Sequence, residues 1–361
     1  MNPLTLIRPD IAEMEGYTPI LPFDVLSKQL GLPPDEIIKL DANENPYGPS
    51  PKIYEALAAE TDYHIYPDPS NTRLRVAMST FLGVDANLLM MGHGADELID
   101  LIMRLFLAAG DGVLSCPPTF GMYKFGTAVN NGRLHTVPRR PDFSVDITAV
   151  VEAVHRHQPK LLFITSPNNP DGSVITDAEL ETLLALPTIV VLDEAYIAFA
   201  DAPSRFSWVT AHENLIVLGT FSKWAGLAGL RVGYGAFPAA LIPHLRKIKQ
   251  PYNINVAGTT AALASLADAD YLMGNVDKII TERERLMAGL QAIPYLEPYP
   301  SQTNFILCRV IGRDAGQLKA QLAQKGILIR YFNKTGMRDH VRMSVGKMGE
   351  NGRLLAELAK I

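Results

Sequence analysis

The chain of 361 residues lacks what several specialised classes require. It has two cysteines, Cys116 and Cys308. A disulfide framework is thereby excluded, and a reducing compartment is the expected home. Neither cysteine stands in a CxxC pair or a Cys/His cluster, so no metal site is expected. Long apolar runs are also missing. The stretch 99–109 is interrupted by Asp100 and Arg104, well short of the ~20 apolar residues that span a bilayer. Residues 1–10 carry Pro3, Arg8, Pro9 and Asp10 where a signal peptide needs an apolar core. A cytoplasmic protein with no membrane partner follows as the expectation. Excess positive charge is absent too: 33 lysines and arginines stand against 38 acidic residues, a net charge of −5. That balance argues against nucleic acid as a partner.

What is present is an ordinary globular composition. Apolar residues make up 47%, enough to exclude disorder as the main state. At roughly 150 residues per domain the length suggests two domains. The first forty residues are proline-rich and read as an irregular segment draped over another surface. Strand-like and helix-like stretches then alternate. Strands are expected over 88–91, 113–116, 160–165, 188–192, 215–219 and 232–237. Helices are expected after Ser50-Pro51, over 71–81, after Gly94, after Asp146 and after Thr176. Such alternation predicts an α/β fold, a mostly parallel sheet flanked by helices. Past residue 256 the texture changes. A long helical stretch over 257–293 leads into a small α+β unit with strands over 305–310, 327–331 and 341–345. The expected division is an N-terminal segment 1–45, a large domain 46–256 and a small α+β domain 257–361.

Two phosphate-binding fingerprints fail. The turn Gly92-His93-Gly94-Ala95-Asp96-Glu97 has Glu97 where a dinucleotide motif needs glycine, and no GK[ST] follows. A glycine-rich turn into a helix still offers free N–H groups to an anion. A second constellation is more informative. Asp193-Glu194-Ala195-Tyr196 ends a β-branched strand, and Thr220-Phe221-Ser222-Lys223 ends the next one, with Arg231 in the glycine-rich run beyond. Asp193 and Lys223 lie one βα-type unit apart, so both fall at the same edge of the sheet. An acid, a lysine, two hydroxyls and an arginine suit a cofactor with a ring nitrogen, an aldehyde and a phosphate.

The segments TFSKWAGLAGLRVGYG, SPNNPDG, LDEAY and DANENPYGPSP resemble the fold-type I, class II pyridoxal-phosphate aminotransferases. The resemblance runs from about Pro22 to the C-terminus. It implies a large cofactor domain, a small α+β domain and pyridoxal 5′-phosphate as cofactor. On this resemblance Lys223 carries the cofactor as a Schiff base and shuttles the proton at the substrate Cα. Asp193 pairs with the ring nitrogen. Tyr196 and Asn169 hydrogen-bond the phenolate oxygen, and Phe120 stacks on the ring. The backbone at Ala95 and Asp96, with Thr220, Ser222 and Arg231, holds the phosphate. Tyr66 reaches the phosphate from a second subunit, which implies a homodimer with shared active sites.

For substrate, the resemblance points to small molecules gripped by Arg342 and Arg330, with Tyr17 and Asn43 closing over them. The implied reaction moves an amino group between glutamate and imidazole-acetol phosphate, a step of histidine biosynthesis. An aminotransferase of aromatic or other amino acids, and a lyase that decarboxylates a phosphorylated amino acid, remain open on the same scaffold. A cofactor-binding regulator is disfavoured, since no DNA-binding segment is visible. Three positions depart from the family pattern. Asp171 stands where threonine is common and is expected only to turn the chain. Phe120 stands where many members have tyrosine, and Trp224 follows Lys223 where alanine is common.

Overall fold

The computed structural model describes residues 1–14, 16 and 22–361. Its strands, in chain order, are β1 (Ile38–Leu40), β2 (Leu89–His93), β3 (Gly112–Ser115), β4 (Arg133–Thr136), β5 (Leu161–Thr165) and β6 (Ile189–Asp193). There follow β7 (Leu215–Thr220), β8 (Val232–Ala236), β9 (Leu296–Pro298), β10 (Phe305–Val310), β11 (Ile327–Tyr331) and β12 (His340–Ser344). They form two sheets. The larger has the order β2-β8-β7-β6-β5-β3-β4. Its neighbours from β7 to β4 are parallel, and β8 alone runs against both its partners.

The apolar runs explain this sheet. β5 and β7 are buried at every residue. The side chains of β5, β6 and β7 alternate between two cores: Leu162, Ile164, Leu192 and Val217 enter one, and Leu161, Phe163, Val191, Ile216 and Leu218 enter the other. A period of two lets one continuous apolar run serve helices on both faces. The helix Gly94–Phe106 lays Leu98, Ile99, Leu101, Ile102 and Met103 on the sheet. Each such side chain contributes about 1.5–3 kcal/mol when fully buried. The expected caps are in place. Ser50, Asp146 and Thr176 each accept a backbone N–H in the first turn of their helices, and Thr176 forms a capping box with Glu179. Caps of this kind are worth about 1 kcal/mol apiece.

The smaller sheet has the order β1-β11-β12-β10-β9, with β1 parallel to β11 and the rest antiparallel. Here the sequence expectations need correction. The stretch 257–293 is not one helix but two, Val256–Ala267 and Ala269–Gln291. The break is at Asp268, whose backbone leaves the helical region while its carboxylate binds Ser50 and Lys52. A partner more than two hundred residues away leaves no trace in local periodicity. The described part of the first forty residues also holds more regular structure than expected. They contain the helix Phe23–Leu30, and β1 joins the smaller sheet. The edge strand β4, with no fully buried residue, showed no apolar run to recognise.

Candidate active site

Strand register brings five chain segments to one edge of the larger sheet. Thr165 pairs with Asp193, and Asp193 with Leu218, two residues before Thr220. Thr220 pairs with Gly233, and Val232 with His93. Because β8 is reversed, it starts where β5, β6, β7 and β2 end. Arg231, Lys223 and the first turn of Gly94–Phe106 therefore meet at the carboxyl edge, where α/β sheets bind ligands. A cavity of about 150 Å³ opens there. Its lining includes Ala95, Asp96, Phe120, Asn169, Asp193, Tyr196, Thr220, Ser222, Lys223 and Arg231. A larger cavity, about 320 Å³, lies beside the free edge of β2 and is lined by Arg75, Arg246 and Lys249. Its lining has no acidic side chain, so an acid–lysine pair exists only in the smaller one.

Asp193 forms the floor. It is 3% exposed. Its Oδ1 accepts from the Ala195 N–H at 3.0 Å and its Oδ2 from the Tyr123 hydroxyl at 2.7 Å. Burial pushes the carboxyl up to about 6, although both donors favour the ionised form. A carboxylate short of positive charge and facing a cavity is suited to a protonated ring nitrogen. Tyr123 was not singled out by the sequence reading, although it stands three residues beyond Phe120.

Lys223 enters from the loop after β7, its Nζ 3.4 Å from the Ala42 carbonyl and 5.7 Å from the centre of the Tyr196 ring. Asn45, also missed, fastens this loop by donating to the carbonyls of Lys223 and Trp224. Trp224, directly after the lysine, is buried and stacks on Phe81 with ring centroids 5.1 Å apart. Asn43 was expected to face substrate. Instead its side chain is built into the wall. Its Nδ2 donates to Tyr196 Oη at 3.0 Å, and its Oδ1 accepts from Ser344 at 3.2 Å. The Tyr196 oxygen thus accepts from protein, and its own hydrogen is left to donate to a ligand.

The anion corner joins three elements. Ser222 N–H and Ser222 Oγ both contact Thr220 Oγ1. Arg231 sits at φ 54° and places Nη2 2.9 Å from Asp96 Oδ2, with Nη1 towards Ser222. Gly94, at φ 74°, is required twice: by its left-handed backbone, and because a Cβ there would collide with the Arg231 guanidinium. A Cβ on Gly233 would likewise strike the Ala95 nitrogen. With Arg231 already paired to Asp96, anion binding here draws on the helix N-terminus and the two hydroxyls as well as on the guanidinium.

The predicted recognition residues are spread more widely. Arg342 is buried on β12. It donates to Asn169 Oδ1 and to the Asp41 carbonyl, and its guanidinium lies 5.0 Å from the centre of the Phe305 ring. Since a guanidinium only donates, the Asn169 oxygen must face it, which leaves the amide NH₂ as a donor for a ligand. Arg330 is opposite Arg342 across β11–β12, near Phe332, and does not line the cavity. Tyr66 is 78% exposed and stacks on Tyr252 with centroids 4.6 Å apart, away from the cavity of its own chain. Tyr17 lies outside the described residues. Asp171 does more than turn the chain: it is 2% exposed, binds Asn168 and Ser173, and feels the buried Arg139.

The donor set fits pyridoxal 5′-phosphate. A buried carboxylate, an amine, an aromatic face at Phe120 and an anion corner with no room for a Cβ match a ring nitrogen, an aldehyde, a planar ring and a phosphate. Among the described residues no cluster suits a metal, and no helix is long and apolar enough to cross a membrane.

Comparison with known proteins agrees with this chemistry. Residues 35–358 match the family described as aminotransferase class I and II. A chloroplastic histidinol-phosphate aminotransferase of Arabidopsis thaliana is 52% identical over 344 residues, 95% of this chain and 82% of that one. The histidinol-phosphate aminotransferase of Roseiflexus castenholzii is also 52% identical, over 99% of this chain and 98% of its own. The crystal structure of histidinol-phosphate aminotransferase from Sinorhizobium meliloti, in complex with pyridoxal-5′-phosphate, superimposes with a TM-score of 0.89. It shares 32% identity over 98% of this chain and 96% of that one. With a match that runs through both sheets and every wall of the cavity, the chain belongs to the class I and II aminotransferases.

Proposed function

We propose that this protein transfers an amino group between L-histidinol phosphate and 2-oxoglutarate, giving imidazole-acetol phosphate and glutamate, or the reverse. The observation that carries the reading is Lys223 and Asp193 in one cavity beside an anion corner, on a chain 52% identical over 99% of its length to a protein of that name. Pyridoxal 5′-phosphate supplies an aldehyde that condenses with amines and a ring that withdraws electrons from the substrate Cα.

The residues divide that work. Lys223 holds the cofactor covalently and, once released, moves the proton at the substrate Cα. Asp193 keeps the ring nitrogen protonated. Tyr196 and Asn169 donate hydrogen bonds towards the phenolate oxygen, and Phe120 covers one ring face. Thr220, Ser222, Arg231 and the N–H groups at Ala95 and Asp96 hold the phosphate. Arg342 grips the carboxylate of glutamate, and Arg330 reads the phosphate of histidinol phosphate, since guanidinium forks suit both anions. The exposed Tyr66 favours a homodimer in which it completes the neighbouring site. Two buried free thiols favour a cytoplasmic setting.

The test is spectroscopic. Protein loaded with pyridoxal 5′-phosphate is expected to show the visible band of lysine-bound cofactor and to lose it with histidinol phosphate or with glutamate. Loss with glutamate alone would discard the histidine-pathway substrate. No band at all would discard Lys223 and Asp193 as read.

A further inference from the structure

Beneath Asp193 a polar chain runs into the protein that the reaction as described does not use. Tyr123 is fully buried on the helix Met122–Val129. Its ring is clamped by Phe163, stacked at 4.6 Å, and meets the edge of Phe120 at 5.7 Å. Its hydroxyl lies 2.7 Å from Asp193 Oδ2 and 2.7 Å from Thr165 Oγ1. Thr119 in turn lies 3.1 Å from Thr165 and donates to Asn168 Oδ1 at 2.8 Å.

The hydrogens in this chain can be counted. An ionised carboxylate only accepts, so the Tyr123 hydrogen goes to Asp193. Thr119 spends its hydrogen on Asn168. The short Thr165–Tyr123 contact is then served by the Thr165 hydrogen. Every donor in the row Thr165, Tyr123, Asp193 points towards the carboxylate, and each bond polarises the next.

We propose that Tyr123 is a positioning residue that, backed by Thr165, holds Asp193 ionised and oriented so that the cofactor's ring nitrogen stays protonated. This rests on the reading of Asp193 as the partner of that nitrogen. Several charged groups surround Asp193. Asp96 on the helix Gly94–Phe106 opposes its ionisation. Lys223, Tyr196 and Arg231 line the same cavity. Glu194 is turned away to Ser204 and the Arg205 N–H. Arg139 and Asp171 lie beyond Thr165 and Asn168. Of these groups only Tyr123 donates a side-chain hydrogen bond to the carboxylate. Burial raises the carboxyl, and the Tyr123 bond works against that rise.

The experiment uses holoenzyme carrying cofactor labelled with ¹⁵N in the ring, whose NMR shift reports ring protonation independently of turnover. Wild type is expected to show a protonated nitrogen across neutral pH. In Tyr123→Phe, which keeps the ring packing, the midpoint for losing that proton is expected about one pH unit lower, a tenfold change in the equilibrium. Thr165→Val leaves Tyr123 in place and should shift the midpoint in the same direction by less, which keeps the idea testable if Tyr123→Phe does not fold. A wild-type nitrogen without a proton would overturn the reading of Asp193 itself. A protonated wild type with unchanged midpoints in the folded variants would overturn the role of Tyr123 and leave that of Asp193 standing.

Discussion

Asp193, Lys223 and Thr220 stand on or directly after adjacent parallel strands, and their supports are close at hand: strand register, the Ala195 N–H, and the Tyr123 hydroxyl 2.7 Å from the carboxylate. Asn43 and Arg342 across the cavity are held differently. Asn43 reaches Tyr196, Ser344 and Asn304 over separations of 153, 301 and 261 residues. Arg342 spans from β12 to Asn169 and Asp41. The bond-making side is thus anchored in one rigid sheet, whereas the recognition side is tied together from three parts of the chain. A mutation on the first side should remove chemistry. One on the second should change which substrate is handled and how firmly the two sheets are joined.

The largest expected effect breaks the first side. Lys223→Ala should lower steady-state transamination by about 10⁴-fold or more, because among the described residues lining the cavity no other amine stands ready to carry the proton. The cofactor should still bind non-covalently through Asp193 and Arg231, seen as quenched protein fluorescence without the lysine-bound band. Substantial turnover would sink the assignment. On the second side, Arg330→Ala should cost about ten- to a hundredfold in kcat/KM with histidinol phosphate, the worth of one charge-assisted hydrogen bond. With glutamate the loss should stay within about threefold; equal losses in the two half-reactions would show that Arg330 does not read the phosphate.

Smaller effects sharpen the contrast. Gly94→Ala adds a Cβ against the Arg231 guanidinium at a left-handed residue. Cofactor affinity measured by equilibrium dialysis should fall about tenfold, since the arginine must swing away from the anion corner. Asn43→Ala removes the donor to Tyr196 and the acceptor for Ser344 while leaving a residue at φ 55°. A loss of about 1–3 kcal/mol in urea unfolding is expected, with Asn43→Gly relieving only the backbone share. Identical stability in Asn43→Ala and wild type would show that this tie does not join the sheets.

The smallest effect concerns pH. Burial raises Asp193 to about 6 and Glu194 to about 7 from ordinary values of 3.8 and 4.5. The folded chain then keeps protons that the unfolded chain releases, so these two groups cost stability as pH rises from about 4 to about 7. Cofactor-free protein should melt a few degrees lower at pH 8 than at pH 5 on their account. Asp193→Asn should flatten part of the slope, and cofactor should do likewise by bringing a cation to the carboxylate. An unaltered slope in Asp193→Asn would remove the carboxyl as its source.

Legibility followed the same division. Helix starts at Ser50-Pro51, Asp146 and Thr176, and the strands carrying Asp193 and Lys223, could be read because caps and short continuous β-branched apolar runs act over a few residues. The helix break at Asp268 could not, since its cause is Ser50 and Lys52. Asn43 was noticed, but its ties to Tyr196 and Ser344 could not be read, because those partners stand beside different sheets. Tyr123 and Asn45 were passed over although Tyr123 stands three residues beyond Phe120 and Asn45 stands inside DANENPYGPSP. A tyrosine on a helix and an asparagine before a proline have commonplace explanations until their partners are known.

By itself the sequence determined the fold class, the alternation of strand and helix, and the pairing of an acid with a lysine one βα unit apart. Those follow from apolar periodicity and from the geometry of parallel strands, which are local. Only the tertiary structure decided that β8 runs backwards and carries Arg231 to the start of Gly94–Phe106, that Asn43 spends its amide on Tyr196 and Ser344, and that Tyr123 lies under Asp193. Each of these depends on which distant segments share a core, and burial then decides which polar groups must find one another.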